Sequence, residues 1–302
     1  MPSSTEVGRV NGFLNVFKPT GVTSHDVVAR VRRLTRESRV GHAGTLDPEA
    51  SGVLPVAVGY CTRLLPFLVL TPKVYQASVT IGQGTVTGDQ QGRVVMRSAR
   101  WPVTLAALQD AARWLTLAGW QTPSRVSAIK VHGERAYRLV QQGSAVWPAP
   151  RRVKIRSIDA IQLEETGWRF TADVGNGTYI RALVRDWAEI LGIAAHVRAL
   201  QRVRVGPWQI QESVAWEALD ATWSTALEPW AKPWPWPVRT LEARTAERVA
   251  HGDPTALRDL PASDSPLMAL EFEGELLAVI EGPPWRYRAV FKGEMARESQ
   301  RR

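Results

Sequence analysis

Apolar positions in the first sixty residues follow two periods, one typical of buried strands and the other of a helix. Residues 13–17 and 53–59 are nearly continuous apolar runs, which predict two buried strands. Between them, the apolar residues over 24–34 recur every three or four positions and follow a Thr23-Ser24 pair that can cap a helix. This pattern predicts a helix that ends near Arg36.

The middle of the chain mixes strands and helices without the even spacing of parallel βαβ units. Alternation with glycine-rich turns predicts a β-ribbon over 73–97, and 121–130 and 151–156 are extended. Helical periods cover 103–117, 134–142 and 177–191, the last ending at Gly192. We therefore expect an α+β fold.

A proline-rich segment over 229–237 gives the sharpest change of composition and predicts a domain boundary. We expect a larger domain over 1–235 and a small β-rich one over 239–302, with strands at 267–272 and 276–280. The tryptophans of the segment could stack on bases, but packing against the first domain is the favoured interpretation.

The positive net charge of the chain indicates which kind of molecule it binds. The chain has 302 residues, and its 38 Lys and Arg against 29 Asp and Glu give a net charge of +9. A basic surface favours polyanions, of which nucleic acid is the simplest and a membrane surface an alternative.

Cysteine and histidine usage excludes some kinds of site. Cys61 is the single cysteine, so the chain forms no internal disulfide and no multi-cysteine zinc site, and the five histidines lack metal-ligand spacing. No metal is expected. The N-terminus lacks the apolar core of a signal peptide and no run of about 18 apolar residues occurs, which predicts a cytoplasmic protein.

One acid stands out, in the segment 41–52. Asp47 lies among glycines and small residues, before Pro48 and directly ahead of the apolar run 53–59. It could act as a catalytic carboxylate held by a loop, or it could merely order the turn. Composition alone favours the turn.

The positions of three arginines also need an explanation. Arg181 falls in the first turn of a predicted helix, where the helix dipole disfavours a cation, so we expect a carboxylate partner for it. The alternative is that the Arg181 side chain extends to solvent. Arg30 and Arg33 belong to a positive flank of the first helix, which could bind phosphates or simply be solvated.

Several motifs along residues 12–210 resemble, in the same order, those of the TruB-type tRNA pseudouridine synthases. One of them is a turn rich in Gly, Thr and Asp over 82–92. The C-terminal part of the chain is similar to the family's small PUA-like domain. The matching segments are NVFKPTGVTS at 15–24, GHAGTLDPEASG at 41–52, KVY at 73–75, QTPSRVSAIK at 121–130, GTYIR at 177–181 and AHVRAL at 195–200.

The resemblance implies a pseudouridine synthase fold with a mixed, mainly antiparallel sheet, and isomerisation of uridine 55 in the tRNA T loop. It implies no metal or organic cofactor, no guide RNA, and a chain that acts alone, by default as a monomer. The implied catalytic residues are Asp47, Tyr75 and Arg181; the implied substrate-binding residues are His42, Tyr75, Tyr179, Leu200 and Lys18; the candidate phosphate contacts are Arg30, Arg33, Arg151, Arg152 and Lys154.

Local departures from the family pattern bear on the pocket rather than on the reaction. Val126 replaces a common Tyr, Val174-Gly175 replaces Cys-Ser, and Val86 replaces an Asp. A non-catalytic RNA-binding protein or tRNA chaperone is the competing interpretation. A glycoside hydrolase is disfavoured because no second acid has a comparable setting, and Glu49 is too close in sequence to oppose Asp47.

Overall fold

The computed structural model describes residues 10–99, 103–124, 148–258 and 260–291, and the backbone of 130–131 and 134–135. Its helices are α1 (Ser24–Thr35), α2 (Leu105–Ala118), α3 (Ile180–Ile190), α4 (Leu219–Thr222) and α5 (Ala243–Ala250). Its strands are β1 (Gly12–Lys18), β2 (Val40–His42), β3 (Ala50–Val58), β4 (Lys73–Ile81), β5 (Gln83–Thr85), β6 (Val94–Arg97), β7 (Trp120–Gln121), β8 (Lys130–Val131), β9 (Glu134–Arg135), β10 (Arg151–Arg152), β11 (Ile155–Glu164), β12 (Gly167–Val174), β13 (Ala195–Val205), β14 (Trp208–Gln209), β15 (Val238–Thr240), β16 (Leu267–Phe272), β17 (Glu275–Glu281) and β18 (Arg286–Val290).

A sheet of eight strands forms the centre of the molecule. Its main order is β1-β3-β13-β4-β12-β11, with β2 paired to β3 and β14 paired to β13. The pair β13 and β3 is parallel and the other pairs of this sheet are antiparallel. The expected α+β architecture with a mixed, mainly antiparallel sheet is therefore confirmed.

Strand β3 explains why its sequence is apolar almost without a break. Val53 and Ala57 belong to a cluster on one face of the sheet, while Leu54 and Val56 belong to a second cluster that includes Val27 of α1. Successive strand side chains point to opposite faces, so a strand covered on both sides needs apolar residues at every position.

Helix α1 forms where the sequence predicts it. Thr23 and Asp26 make a reciprocal capping box, with N–O distances of 3.1 and 2.9 Å, which satisfies two amide groups at the helix N-terminus. Arg36 adopts a left-handed conformation with φ of 53° and ends the helix. The cap places Ser24 at the start of α1, below the loop that carries Asp47.

Helix α3 packs its apolar face on the central sheet. Trp187 lies edge-on to Trp168 and Phe170 of β12, with ring centroids 5.4 and 5.0 Å apart. Gly192, with φ of 66°, follows the helix as predicted. The packing fixes the axis of α3 and hence the position of Arg181 in its first turn.

The tryptophans of the proline-rich segment are packed against the protein. Trp230 and Trp234 are buried, and the Trp236 indole donates to the Phe67 carbonyl at 2.7 Å. They belong to a hydrophobic cluster that joins residues of the central sheet to residues of the C-terminal sheet β15-β16-β17-β18. The packing interpretation is confirmed, while the division into domains at 235 and 239 stays a prediction.

Three predicted elements differ from the structure. Strand β4 lies inside the central sheet, and the two-stranded ribbon consists of β5 and β6 only. The prediction included β4 in the ribbon because the sequence of a strand does not show which strands pair with its edges. Glu134 and Arg135, predicted helical, are in a strand, and residues 136–142 lie outside the described part. The 151–156 strand is interrupted between β10 and β11. None of the described helices has the length and apolar character needed to cross a membrane.

Candidate active site

The loop that carries Asp47 is anchored through the two residues beside it. The Ser24 hydroxyl donates to the Leu46 carbonyl at 3.1 Å and accepts from the Leu46 amide at 2.9 Å, while the Gly21 amide donates to the Pro48 carbonyl at 2.9 Å. The loop is shorter than expected, because 50–52 belong to β3. Asp47 is thus presented from a fixed backbone.

Lys18 lies beneath this loop, and the structure contradicts its predicted role in substrate or phosphate binding. Its side chain is fully buried, and Nζ donates to the carbonyls of Pro19, Val22 and Pro48 at 2.8, 2.6 and 3.2 Å. Burial lowers the pKa of Lys18 to about 8. The ammonium is occupied by backbone oxygens and cannot reach an RNA phosphate, so Lys18 holds the loop rather than the substrate.

Arg202 anchors the other side of the loop and was missed by sequence reasoning. It is 1% exposed; Nε donates to the Val53 carbonyl at 2.8 Å and Nη2 to the Gly44 carbonyl at 3.0 Å. Nη1 lies 3.4 Å from the Thr45 carbonyl and 3.5 Å from the Tyr75 hydroxyl. In the sequence, Arg202 resembles the solvent-facing charges of an alternating strand.

Asp47 forms an ion pair with Arg181, as expected from the odd position of that arginine. Nε of Arg181 lies 2.8 Å from Oδ2 of Asp47, and the arginine side chain is 6% exposed against 38% for the aspartate. The alternative of an arginine extended to solvent is therefore wrong. A carboxylate that is open to solvent on one side and paired with a buried guanidinium on the other is held ready for contact with a ligand.

Arg181 also contacts a second acid, which the sequence did not single out. Nη1 donates to the Thr87 carbonyl at 2.7 Å and lies 3.5 Å from Oδ2 of Asp89. Asp89 is itself fixed, since the Thr87 hydroxyl donates to its Oδ1 at 2.6 Å. The turn over 82–92, about ninety residues before Arg181 in the sequence, thus helps to fix the orientation of the Arg181 guanidinium.

Tyr179, the residue before α3, is clamped by a side chain from β7. Gln121 donates to the Tyr179 carbonyl at 3.0 Å and accepts from its amide at 2.8 Å. The Arg151 guanidinium lies 5.2 Å from the centroid of the Tyr179 ring and also donates to the Gly177 carbonyl. The clamp gives a role to Gln121, which the sequence placed in a motif without assigning one.

A cavity of about 220 Å³ brings four of the predicted residues together. Asp47, Tyr75, Tyr179 and Leu200 all line it, and Arg181 reaches Asp47 from an adjoining cleft. Tyr75 is buried with its hydroxyl beside Arg202. One carboxylate, two phenol rings and an aliphatic side chain around a small cavity can hold a planar ring with its reacting atom at the acid.

His42 lies in β2 and is not one of the residues that line the cavity. His42 is half-buried in β2, its Nδ1 has no hydrogen-bond partner within the described residues, and burial lowers its pKa. His42 does not itself line the cavity, but the positive charge of Arg202, which does, also lowers the pKa of His42.

The basic residues divide into those engaged by the protein and those at its surface. Arg30 donates to Asp220 at 2.7 Å and lies 4.2 Å from the Trp216 ring centroid. Arg33 and Lys154 are exposed, and Arg152 lies over Trp120. The Lys154 carbonyl accepts from the Gly175 amide, so the segment bearing Arg151 and Lys154 flanks the loop that leads to Tyr179.

Comparisons with known proteins agree on one family. Residues 32–180 match the model described as TruB family pseudouridylate synthase (N terminal domain). The chain is 41% identical over 285 residues to the tRNA pseudouridine synthase B of Thermobifida fusca (strain YX), covering 90% of this chain and 94% of that protein. It is 40% identical over 283 residues to the protein of the same name from Arthrobacter sp. (strain FB24), covering 90% and 92%.

Solved structures show the same fold at lower identity. The crystal structure of a Cbf5-Nop10-Gar1 complex aligns with a TM-score of 0.65 and 24% identity, covering 90% of this chain and 78% of that one. The structure of an H/ACA RNP bound to a substrate RNA gives a TM-score of 0.62 at the same identity and coverage. At this identity the likeness concerns the fold alone.

Proposed function

Because this chain belongs to the TruB family of pseudouridylate synthases, we propose that it isomerises uridine 55 in the T loop of tRNA, with Asp47 as the catalytic residue. The family and the fold predicted from the sequence motifs are thereby confirmed, and the chain is an RNA isomerase. The position of the uridine and the roles of the side chains form the proposal.

The ion pair between Asp47 and Arg181 carries the proposal. Pseudouridine formation breaks the bond between C1′ of the ribose and N1 of uracil and forms a bond between C1′ and C5; the C5 proton leaves to water, and N1 gains a proton. An ionised carboxylate that is 38% exposed can attack the ribose or the uracil, or remove a ribose proton. Arg181 aims this carboxylate, since it approaches Asp47 from within the protein.

The cavity walls suit a uracil that has left its stack. Tyr75 can stack on one face of the extruded ring while Leu200 covers the other, and Tyr179, fixed by Gln121, closes the side toward α3. By family resemblance, His42 supports the extruded nucleotide or fills the space that it vacates.

The net charge of the chain supports a polyanionic partner. The net charge is +9, and Arg33, Arg151, Arg152 and Lys154 remain our candidate phosphate contacts. We expect a monomeric, cytoplasmic enzyme that acts alone, with the C-terminal β-rich part as a PUA-like module that adds contacts to tRNA. Binding should weaken steeply with salt, because phosphate contacts release counterions.

Tritium release separates catalysis from mere RNA binding. Unmodified tRNA labelled with tritium at uridine C5 is incubated with wild type, Asp47→Asn and Glu49→Gln, the last a matched change of charge on the same loop. We expect release from wild type and Glu49→Gln and none from Asp47→Asn, with equal tRNA binding by all three. Equal release by Asp47→Asn would refute the assignment of Asp47. Binding without release by any protein would favour the chaperone interpretation instead.

A further inference from the structure

Lys73 is a charged residue on the buried face of the central sheet. Residues alternate across a strand, so Lys73 shares its face of β4 with Tyr75, Ala77 and Val79, all of which are buried. Its side chain lines the same cavity as Asp47. A lysine in this position needs a reason, because an ammonium on a core-facing surface loses hydration.

The ammonium of Lys73 makes no hydrogen bond or ion pair to any residue that the structure describes. Another cation, Arg202, lies beside it: a Cβ atom built on Gly44 would lie 3.3 Å from Nζ of Lys73 and 3.7 Å from Nη1 of Arg202. Burial and Arg202 together lower the pKa of Lys73 to about 8. Among the described residues, Lys73 therefore has a cation beside it and no ion-pair partner of its own.

Arg202 cannot accept from Lys73, because a guanidinium carries only donors; those donors are directed to the carbonyls of Val53, Gly44 and Thr45. Asp47 is paired with Arg181. Within the part of the chain that the structure describes, the cavity thus presents one ammonium without an acceptor, beside a guanidinium whose charge is not neutralised by the carbonyls that it binds. A ligand with a negative charge satisfies both groups, whereas a neutral uracil carbonyl leaves two adjacent positive charges uncompensated.

We propose that Lys73 binds a backbone phosphate of the extruded uridine and so positions its ribose against Asp47. The inference rests on the proposed function, because it requires an RNA nucleotide in the cavity. Phosphate contacts fix the register of a nucleic acid without reading its sequence, and an ammonium is a common partner for them. Lys73 is a positioning residue under this proposal and takes no part in bond changes.

The test combines protein variants with an altered RNA. T-arm stem-loop RNAs, labelled with tritium at C5 of the target uridine, carry one neutral methylphosphonate linkage either 5′ or 3′ to that uridine. Release is measured for wild type, Lys73→Met, Lys73→Arg and Lys232→Met; Lys232 is a control lysine that pairs with Glu228 and lies outside the cavity lining.

We expect Lys73→Met to lower kcat/KM on unmodified RNA by about ten- to a hundredfold, the loss typical of a charge-assisted hydrogen bond, with Lys73→Arg retaining more activity. One of the two neutral linkages should cause a similar loss with wild type and no further loss with Lys73→Met. A purely structural role would make the two losses multiply instead.

Three outcomes would overturn the inference: unchanged kcat/KM in Lys73→Met, unchanged wild-type rates with both neutral linkages, or multiplied losses. The second needs no variant and stands even if Lys73→Met folds poorly. Absence of release by wild type on unmodified RNA would instead count against the proposed function, so the two failures are distinguishable.

Discussion

The Asp89 carboxylate lies 3.5 Å from Nη1 of Arg181, while Nε of the same guanidinium lies 2.8 Å from Asp47. One arginine therefore joins a solvent-facing carboxylate to one that is 15% exposed. A planar guanidinium contacted at two nitrogens keeps its orientation better than one contacted at a single edge.

We predict that Asp89→Asn lowers the single-turnover rate of tritium release by about ten- to a hundredfold, the cost of a misplaced reacting group, and leaves tRNA affinity nearly unchanged. The reason is that Asp89 orients Arg181 and does not line the cavity of Asp47 and Tyr75. Asp173→Asn is the control, since Asp173 pairs with Arg156 at 3.0 Å and is similarly half-buried. A single-turnover rate equal to that of wild type in Asp89→Asn would show that Asp89 is not needed to orient Arg181.

Gly52 predicts a steric limit at the junction of β3 and β13. Its φ is +110°, and a Cβ atom at this position would lie 2.1 Å from the Arg202 carbonyl oxygen. We expect Gly52→Ala to lower the free energy of unfolding by about 3 kcal/mol or more, measured by urea denaturation, because backbone on both sides must move.

The matched control is Gly274→Ala in the turn between β16 and β17. Gly274 has φ of +80° and an added Cβ atom would meet no atom within 4 Å, so only the cost of the left-handed conformation remains, about 1–2 kcal/mol. Equal losses in the two variants would show that conformation, rather than the contact with Arg202, decides the cost.

Lys18 predicts a pH dependence of stability. Its pKa is about 8 in the folded protein and 10.5 as the ordinary value, so between these two pH values the unfolded chain binds more protons than the folded one. The contribution of Lys18 to the free energy of unfolding should therefore rise from pH 8 to 10.5, by up to about 3 kcal/mol.

The measurement is the difference in unfolding free energy between wild type and Lys18→Met at several pH values. The subtraction is needed because burial raises the pKa of Cys61 to about 12, which lowers stability above about pH 9 in both proteins. We expect the difference to be flat below pH 7 and to rise above pH 8. A difference that stays flat to pH 10.5 would mean that Lys18 titrates normally.

The parts of the fold that were predictable depend on local signals. The Thr23 capping box and Gly192 mark their helices within a few residues, and the apolar run of β3 identifies a strand buried on both faces. The helix predicted over 134–142 is wrong at Glu134, because Glu134 and Arg135 pair with Val131 and Lys130 in a short antiparallel hairpin that overrides the helical pattern.

The site was predictable only in part, because some of its contacts leave no local signal in the sequence. Arg181 could be identified as a partner for an acid because a cation in the first turn of a helix conflicts with the dipole. In the sequence, Arg202 resembles a solvent-facing charge of an alternating strand. For Lys18 and Lys73, nothing local distinguishes an ammonium held inside the protein from one that extends to solvent. Their roles depend on which backbone atoms the tertiary fold places within 3–4 Å.

The anchors of the Asp47 loop have a consequence for how its sequence can vary. Ser24, Lys18 and Arg202 bind the main chain of residues 44–48, and each of them lies outside the loop. The shape of the loop is therefore encoded elsewhere in the chain, and a side chain such as the exposed Thr45 is free to change without moving the acid. A library that places small side chains at Thr45, which also lines the cavity, and keeps Ser24, Lys18 and Arg202 intact should stay rich in active members, whereas randomising the three anchors should leave few.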